Sequence, residues 1–329
     1  MNIPWTPTED AILKQQFANG KDITRDVMPL LPGRTYNAIR SRATKYLGVK
    51  MKKLPIHDRT FFDVPNEINC SIAGFLAADG CISNIGRLTL GLSTKDRSHL
   101  ETIVKAVQYS GRIYDYVRPY NLIVKKYGKE TPYDGTLYVS TIQIQCPELC
   151  AALARNWNIT PRKTHTLLPP PLTNPRLVMA YLSGLIDGDG WIIEDKSDPT
   201  RGCRYTICVM GTKEMMEWTK AMFDLYVPHS DGAALQPNES SNIYDYGIGG
   251  AKVYWLAKLF WALDIPRLTR KWDKLKDLIG KVEGGMCSPR FRRAVARCHP
   301  SDEILAAFGL HVSVTQPLEP QEVEVDALA

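Results

Sequence analysis

The hydrophobic pattern of the first fifty residues is helical. Thr6 followed by Glu9 forms a capping-box pattern, and the apolar residues Leu13 and Phe17 follow four positions apart, as on one face of a helix. Glycines and prolines then interrupt the chain at intervals that suit short helices. The pattern predicts three helices, over residues 7–18, 22–31 and 35–47.

The third predicted helix has two unlike faces. One is apolar and carries Tyr36, Ile39, Ala43 and Tyr46, whereas the other is polar and cationic. Side chains of the second kind contact phosphates and base edges in the major groove of DNA. The candidate DNA contacts are Arg34, Asn37, Arg40, Ser41, Thr44 and Lys45. The alternative is a solvated helix surface with no partner.

Beyond a linker at residues 51–65, the hydrophobic pattern repeats. Residues 72–80 (IAGFLAADG) match residues 182–190 (LSGLIDGDG) at an offset of 110. Two further matches follow in the same order, residues 92–96 with 210–214 and residues 158–163 with 264–271. Three ordered matches indicate an internal duplication.

Each copy predicts the order helix, two strands, helix, two strands, helix. The strands follow from alternation with a period of two, as in residues 88–92. We therefore expect an α+β chain with a first half at 66–172, a second half at 173–280 and an extension at 281–329. The extension is basic and then acidic, and its tail from Val312 is expected to be disordered.

Both duplicated helices carry small residues on one stripe, Gly74 with Ala78 and Gly184 with Gly188. Glycine inside a helix costs about 1 kcal/mol relative to alanine, so close contact between two helix backbones is the expected compensation. We expect the two helices to pack on each other.

Each of these helices ends in an aspartate followed by glycine, Asp79 and Asp189. An acid there faces the negative end of the helix macrodipole, and packing the helices together brings the two carboxylates close. A divalent cation, Mg²⁺ or Mn²⁺, would relieve both conflicts, with the carbonyls of Ala78 and Gly188 as further oxygen ligands. A metal site of this kind can activate water and stabilise charge during phosphodiester hydrolysis. The alternative is a buried helix that ends in an ordinary turn.

The two motifs resemble those of the LAGLIDADG homing endonucleases of the two-motif, single-chain type. The resemblance covers about residues 66–280. It implies two pseudo-symmetric αββαββα halves that form a saddle of antiparallel sheets, with Asp79 and Asp189 as the metal-binding catalytic residues. The first motif departs from the family at Ala77, where an acid is usual.

The same resemblance implies further site residues. Lys163 and Lys271 match the basic residues near each active centre, which would stabilise charge or polarise water. Thr94 and Thr212 match polar residues close to the attacking water, although each is also a plausible helix N-cap. The solvent face of the sheets would read bases through Arg87, Thr89, Gln143, Gln145, Arg204 and Thr206.

The N-terminal segment resembles a Myb/SANT-like helix-turn-helix domain. The resemblance rests on the Trp-Thr-x-x-Glu-Asp pattern from Trp5 and on Leu-Pro-Gly-Arg-Thr-x-x-x-Ile-x-x-Arg at residues 31–42. Ile23 and Ala43 stand where that family usually has tryptophans. The resemblance implies an accessory DNA-binding domain at residues 1–50, although some relatives bind proteins.

Composition agrees with a nucleic-acid partner. The net charge is +6, but residues 299–329 carry six acids and no Lys or Arg, so residues 1–298 carry +12. The chain shows no membrane-spanning run and no secretory signal pattern. We expect a monomeric, intracellular protein, in the cytoplasm or nucleoid of a prokaryotic or phage-infected cell or in an organelle, with reduced cysteines.

The sequence therefore predicts a site-specific double-strand DNA endonuclease that uses Mg²⁺ or Mn²⁺ on a long, asymmetric target. Two alternatives use the same scaffold. One is a DNA-binding regulator that does not cut, and the other is an RNA splicing maturase whose partner would be intron RNA.

Overall fold

The computed structural model describes residues 4–19, 21, 23–49, 57–126, 129–196, 203–228, 234–238 and 243–310. The chain divides into two compact units, residues 1–56 and 57–329. The predicted tail beyond Val312 and part of the predicted linker lie outside the described residues.

The N-terminal unit begins with helix α1, Pro7–Ala18, whose predicted capping box is present. The Thr6 hydroxyl accepts from the Glu9 backbone N–H, and the Glu9 carboxylate accepts from the Thr6 backbone N–H. The unit's core is small and consists of Leu13, Ile23, Val27, Leu31 and Ile39, with Ala43 also fully buried.

The second predicted helix is not an α-helix. A π-helical turn, Ile23–Val27, is followed by a 3-10 turn, Met28–Leu30. Pro29 explains the break, because it has no N–H to donate and disfavours helical backbone at the residue before it.

The third predicted helix is α-helical only over α2, Tyr36–Ser41, and continues as a π-helical turn, Arg42–Tyr46. The Thr44 hydroxyl donates to the Arg40 carbonyl at 2.8 Å and so competes with the regular backbone bond. Of the residues on the predicted apolar face, Ile39 and Ala43 are buried, whereas Tyr36 is 43% exposed and Tyr46 is 70% exposed.

The second unit contains two halves with the predicted order of elements. The first half consists of α3 (Glu67–Asp79), β1 (Cys81–Ile82), β2 (Arg87–Ser93), α4 (Arg97–Ala106), β3 (Tyr114–Lys126), β4 (Lys129–Gln145) and α5 (Pro147–Trp157). The second half consists of α6 (Pro175–Asp189), β5 (Gly190–Glu194), β6 (Tyr205–Gly211), α7 (Lys213–Tyr226), β7 (Gln236–Asn238), β8 (Ile243–Gly249) and α8 (Lys252–Trp261).

Each half folds into one four-stranded antiparallel sheet. The strand orders are β1-β2-β4-β3 and β5-β6-β8-β7, so equivalent strands occupy equivalent places. One face of each sheet packs on helices, as the buried residues Leu88, Leu90, Ile142, Ile207 and Val209 show. The predicted α+β class is confirmed.

Three more helices follow, α9 (Thr269–Glu283), α10 (Pro289–Arg297) and α11 (Asp302–Ala307). A disulfide between Cys203 and Cys287 ties the start of β6 to the segment between α9 and α10. The expectation that every cysteine is reduced is therefore wrong for this pair. The two residues are 84 positions apart, and only the fold brings their Cα atoms to 5.7 Å.

No helix within the described ranges is long and apolar enough to cross a membrane.

Candidate active site

Helices α3 and α6 touch through their backbones. A Cβ atom added at Gly74 would lie 1.9 Å from the Tyr181 carbonyl oxygen, and one added at Gly184 would lie 1.8 Å from the Ser71 carbonyl oxygen. No larger residue fits at either position without moving a helix. The predicted packing of the two duplicated helices is confirmed.

The same contact continues to the C-terminal ends of both helices. A Cβ atom added at Gly188 would lie 2.2 Å from the Ala78 Cβ and 3.4 Å from Asp79 Oδ2. Asp79 and Asp189, the last residues of α3 and α6, are therefore neighbours across the helix pair.

Neither motif helix ends in a left-handed glycine, although glycine follows the last residue of each. Gly80 and Gly190 have φ of −74° and −114° and lead directly towards β1 and β5. Glycine is needed there for space, because an added Cβ would lie 2.6 Å from the Leu76 carbonyl oxygen at Gly80 and 2.7 Å from the Ile186 carbonyl oxygen at Gly190.

The two carboxylates are held at a high electrostatic cost. Burial and the neighbouring Asp79 carboxylate together raise the pKa of Asp189 to about 6, against the lowering effect of Lys163 and Lys271. Burial also raises the pKa of Asp79, although its side chain remains open to solvent, because the surrounding protein displaces much of its water. A cation between the carboxylates would offset this cost.

A lysine lies at the end of each motif helix, as the resemblance implies. Lys163 is buried and its Nζ donates to the Ala78 carbonyl at 3.0 Å. Lys271 is also buried, and its Nζ donates to the carbonyls of Ile186, Asp187, Gly188 and Gly190 at 2.9, 2.5, 3.4 and 2.6 Å. Burial lowers the pKa of both lysines. Because its Nζ donates to the carbonyls at the C-terminal end of α6, Lys271 caps the negative end of that helix.

The oxygen atoms at the site fit a hard divalent cation. Within the described part of the chain, no group of three or more His, Cys, Asp or Glu side chains is arranged to hold a metal. The available metal ligands are the carboxylates of Asp79 and Asp189 and the carbonyls of Ala78 and Gly188. The Ala78 carbonyl also accepts from Lys163 at 3.0 Å, and the Gly188 carbonyl from Lys271 at 3.4 Å. Few protein ligands, all oxygen, suit Mg²⁺ or Mn²⁺, because Mg²⁺ keeps several waters.

Asp187 is a buried acid that sequence reasoning did not single out. Its carboxylate accepts from Trp272 Nε1 at 2.7 Å and from the Leu268 backbone N–H at 3.1 Å, which ties α6 to the start of α9. Burial raises the pKa of Asp187 to about 7. Its counterpart in the first motif is Ala77. This difference between the two motifs is the sequence feature that could have pointed to Asp187.

A second missed contact joins the two halves. The Arg270 guanidinium donates to both carboxylate oxygens of Asp96, at 2.9 and 2.8 Å. Arg270 precedes Lys271, and Asp96 lies at the start of α4. Because the two residues are 174 positions apart, no local sequence pattern predicts their contact.

Thr94 and Thr212 occupy different environments. Thr212 is buried as the N-cap of α7, where its hydroxyl accepts from the Met215 N–H and donates to the Leu167 carbonyl. Thr94 is exposed. The strand registers make Ser93, one residue earlier, the counterpart of Thr212, so the sequence match at an offset of 118 is out of phase by one. A water-positioning role for either threonine stays a prediction.

The face of each sheet away from the buried residues is open to solvent. Arg87, Thr89, Gln143 and Gln145 share this face in the first half, where Arg87 Nε donates to Gln145 Oε1 at 3.2 Å. Thr206 lies on the equivalent face of β6. Arg204 lies just before β6, where it forms an ion pair of 3.1 Å with Asp195.

In the N-terminal unit, Arg34 is engaged inside the unit. Its guanidinium donates to both Glu9 carboxylate oxygens, at 2.7 and 2.9 Å, and lies 4.2 Å from the centre of the Trp5 ring. The hydrogen bonds from Arg34 lower the pKa of Glu9 to about 2. Of the other predicted contacts, the exposed ones are Asn37, Arg40 and Lys45, and the half-buried ones are Ser41 and Thr44.

Comparison with known proteins gives a likeness in structure only. No protein-family model and no curated protein matches the chain. The DNA-bound LAGLIDADG homing endonuclease I-LtrWI is 10% identical, with a TM-score of 0.40 over 70% of this chain and 96% of its own. The meganuclease I-AabMI, bound to uncleaved DNA, is 15% identical, with a TM-score of 0.39 over 74% and 96%. The meganuclease I-SmaMI, bound to uncleavable DNA, is 11% identical, with a TM-score of 0.41 over 74% and 98%.

Proposed function

We propose that the protein is a site-specific double-strand DNA endonuclease that depends on a divalent metal. The observation that carries the proposal is the meeting of Asp79 and Asp189 at the ends of two helices in backbone contact. Two acids whose pKa values are raised by burial do not stabilise the fold by themselves, because each carboxylate is costly to ionise there. Aspartates are also the residue type that binds a metal for phosphodiester hydrolysis.

The carboxylates of Asp79 and Asp189 would hold Mg²⁺ or Mn²⁺, together with the carbonyls of Ala78 and Gly188. When bound, such an ion supplies water activation and stabilises charge on the oxygens of the phosphate. Lys163 places an ammonium beside the Ala78 carbonyl and would attract the phosphate backbone. Lys271 would act chiefly by fixing the end of α6, since four carbonyls, that of Gly188 among them, already accept from its Nζ.

The open sheet faces would bind the major groove, because a curved antiparallel sheet presents alternate side chains to base edges. The two halves carry different residues there, so the target would be asymmetric, and one chain would supply both halves as a monomer. The N-terminal unit would extend the footprint through Asn37, Arg40 and Lys45, in the manner of a Myb/SANT-like domain.

The test is a selection followed by a cutting assay. The full-length protein is used to select duplexes from a randomised library, and the recovered DNA is then incubated with protein and Mg²⁺. Cutting of both strands at one position, abolished by EDTA and restored by added Mn²⁺, is the expected result. Selection of one sequence without cutting in either metal would indicate a regulator instead.

A further inference from the structure

The open faces of the two sheets carry different chemistry at equivalent positions. The registers define the equivalence, since β1 and β5 follow the two motif helices directly. In the first row of the first half, Cys81 pairs with Thr89, which pairs with Gln143. In the first row of the second half, Trp191 pairs with Cys208, which pairs with Gly247.

The second row differs in the same way. In the first half it contains Arg87 paired with Gln145, and the Ser83 backbone N–H donates to the Arg87 carbonyl. In the second half, Ile193 pairs with Thr206, which pairs with Gly249. The first half thus has two glutamines where the second half has two glycines.

The first-half rows suit hydrogen bonds to bases. Arg87, Gln143 and Gln145 are all exposed. The Gln145 amide, however, is engaged within the half: its Nε2 donates to the Ile85 and Gly86 carbonyls at 2.7 and 3.3 Å, and its Oε1 accepts from Arg87 Nε. Arginine binds guanine through two donors, and glutamine binds adenine through a donor and an acceptor. The Arg87 contact with Gln145 uses only Nε of the guanidinium, and two terminal amino groups of that side chain remain for a base.

The second-half rows suit an apolar group. Trp191 is 36% exposed and Ile193 is 44% exposed, although both have large apolar side chains whose burial is favourable. Gly247 and Gly249 have no side chains to cover the sheet beside Trp191 and Ile193, so a base pair could approach the strands closely there. The only apolar group on the major-groove edge of the bases is the C5-methyl group of thymine.

We infer that the second half recognises its part of the target through thymine methyl groups, which contact Trp191 and Ile193. The first half recognises donors and acceptors through Gln143 and through Arg87, which Gln145 orients. This inference rests on the proposed function, because it takes the open sheet faces to be the DNA interface. It adds that the two half-sites are read by different chemistry, with thymines concentrated in one of them.

The experiment compares thymine with deoxyuridine, which pairs identically but lacks the methyl group. A duplex is selected with the full-length protein, and the half-sites are assigned by Arg87→Ala, which should relax base preference in the first-half site only. Duplexes are then made with dU replacing dT in one half-site at a time. We expect Kd to rise about three- to four-fold per contacted methyl in the second-half site, and to stay within two-fold in the other.

Variants test the assigned residues. Trp191→Cys places the first-half residue at this surface position and should reduce the dT-to-dU difference, while base preference in the first-half site is kept. Ile193→Ala should do the same with little effect on folding, and Cys81→Ala is the matched control that should change neither. Equal dU effects in both half-sites, or none in the second-half site, would overturn the inference while the endonuclease proposal stands. Failure to enrich any sequence would overturn both.

Discussion

The backbone contact between α3 and α6 makes a sharp prediction for Gly184→Ala. The added Cβ would lie 1.8 Å from the Ser71 carbonyl oxygen and 2.7 Å from the Phe75 nitrogen, whereas real Cβ atoms stay beyond 3.0 Å. These neighbours are backbone atoms, so no rotamer change relieves the clash. The helices must separate by more than an ångström along a buried interface.

The cost follows from two opposing effects. Overpacking of a tight interface destabilises a protein by about 1–3 kcal/mol, and by more where backbones must move. Replacing glycine with alanine inside a helix returns about 1 kcal/mol. Because two helix backbones must move here, we take about 3–5 kcal/mol for the overpacking, at and above the upper end of this range. The net loss in unfolding free energy is then about 2–4 kcal/mol, which lowers the Tm of this unit by roughly 5–10 °C.

Gly280→Ala is the matched control. Gly280 lies inside α9, and an added Cβ there meets nothing within 4 Å. The same substitution should therefore raise Tm by about 2–3 °C, since only the helix preference changes. Thermal unfolding followed by circular dichroism gives both values. A Gly184→Ala variant that is as stable as the wild type, or is stabilised like Gly280→Ala, would refute the backbone contact.

Two further predictions concern the buried groups behind the carboxylates. Lys271→Met should lower the unfolding free energy by about 3 kcal/mol, because four carbonyls at the end of α6 lose their donor. Lys274→Met, which removes a single bond to the Ile192 carbonyl, should cost under about 1 kcal/mol in the same urea titration, and equal losses would contradict the capping role. The pKa of Asp187 is about 7 in the folded protein against 3.8 for an unperturbed aspartate, so between these pH values the folded state holds a proton that the unfolded state has lost. Stability in EDTA should therefore fall as pH rises from about 4 to about 7 and then level off, with Asp189 contributing to the fall up to about pH 6. Asp187→Asn should make this fall shallower and remove it between about pH 6 and 7. An unchanged profile would show that Asp187 does not titrate in this range.

Local patterns carried the prediction of the fold. Each motif helix shows its glycine stripe and its terminal Asp-Gly within nine residues, and the pattern occurs twice, so the sequence was sufficient to predict the packing of α3 on α6. The bounds of β3 escaped prediction, although two strands were expected in this region, because Pro119 interrupts the strand pattern. This proline is tolerated because β3 is an edge strand.

The rest of the site depends on contacts between residues that are far apart in the sequence. The bond from Trp272 to Asp187 and the ion pair of Arg270 with Asp96 join segments 85 and 174 residues apart. Arg34 has the residue type of a DNA contact, yet it is paired with Glu9, 25 residues away. Residue type and spacing could not predict these partners, because each depends on how separate elements pack.

The central claim is that Asp79 and Asp189 form one metal-dependent cutting site. The most direct test is the double variant Asp79→Asn with Asp189→Asn, assayed on the selected duplex with each strand end-labelled. Asparagine keeps the size of the side chain and removes both charges. The account predicts loss of cutting on both strands in Mg²⁺, with Kd for DNA within a few-fold of wild type. Cutting at the wild-type rate by the double variant would contradict it.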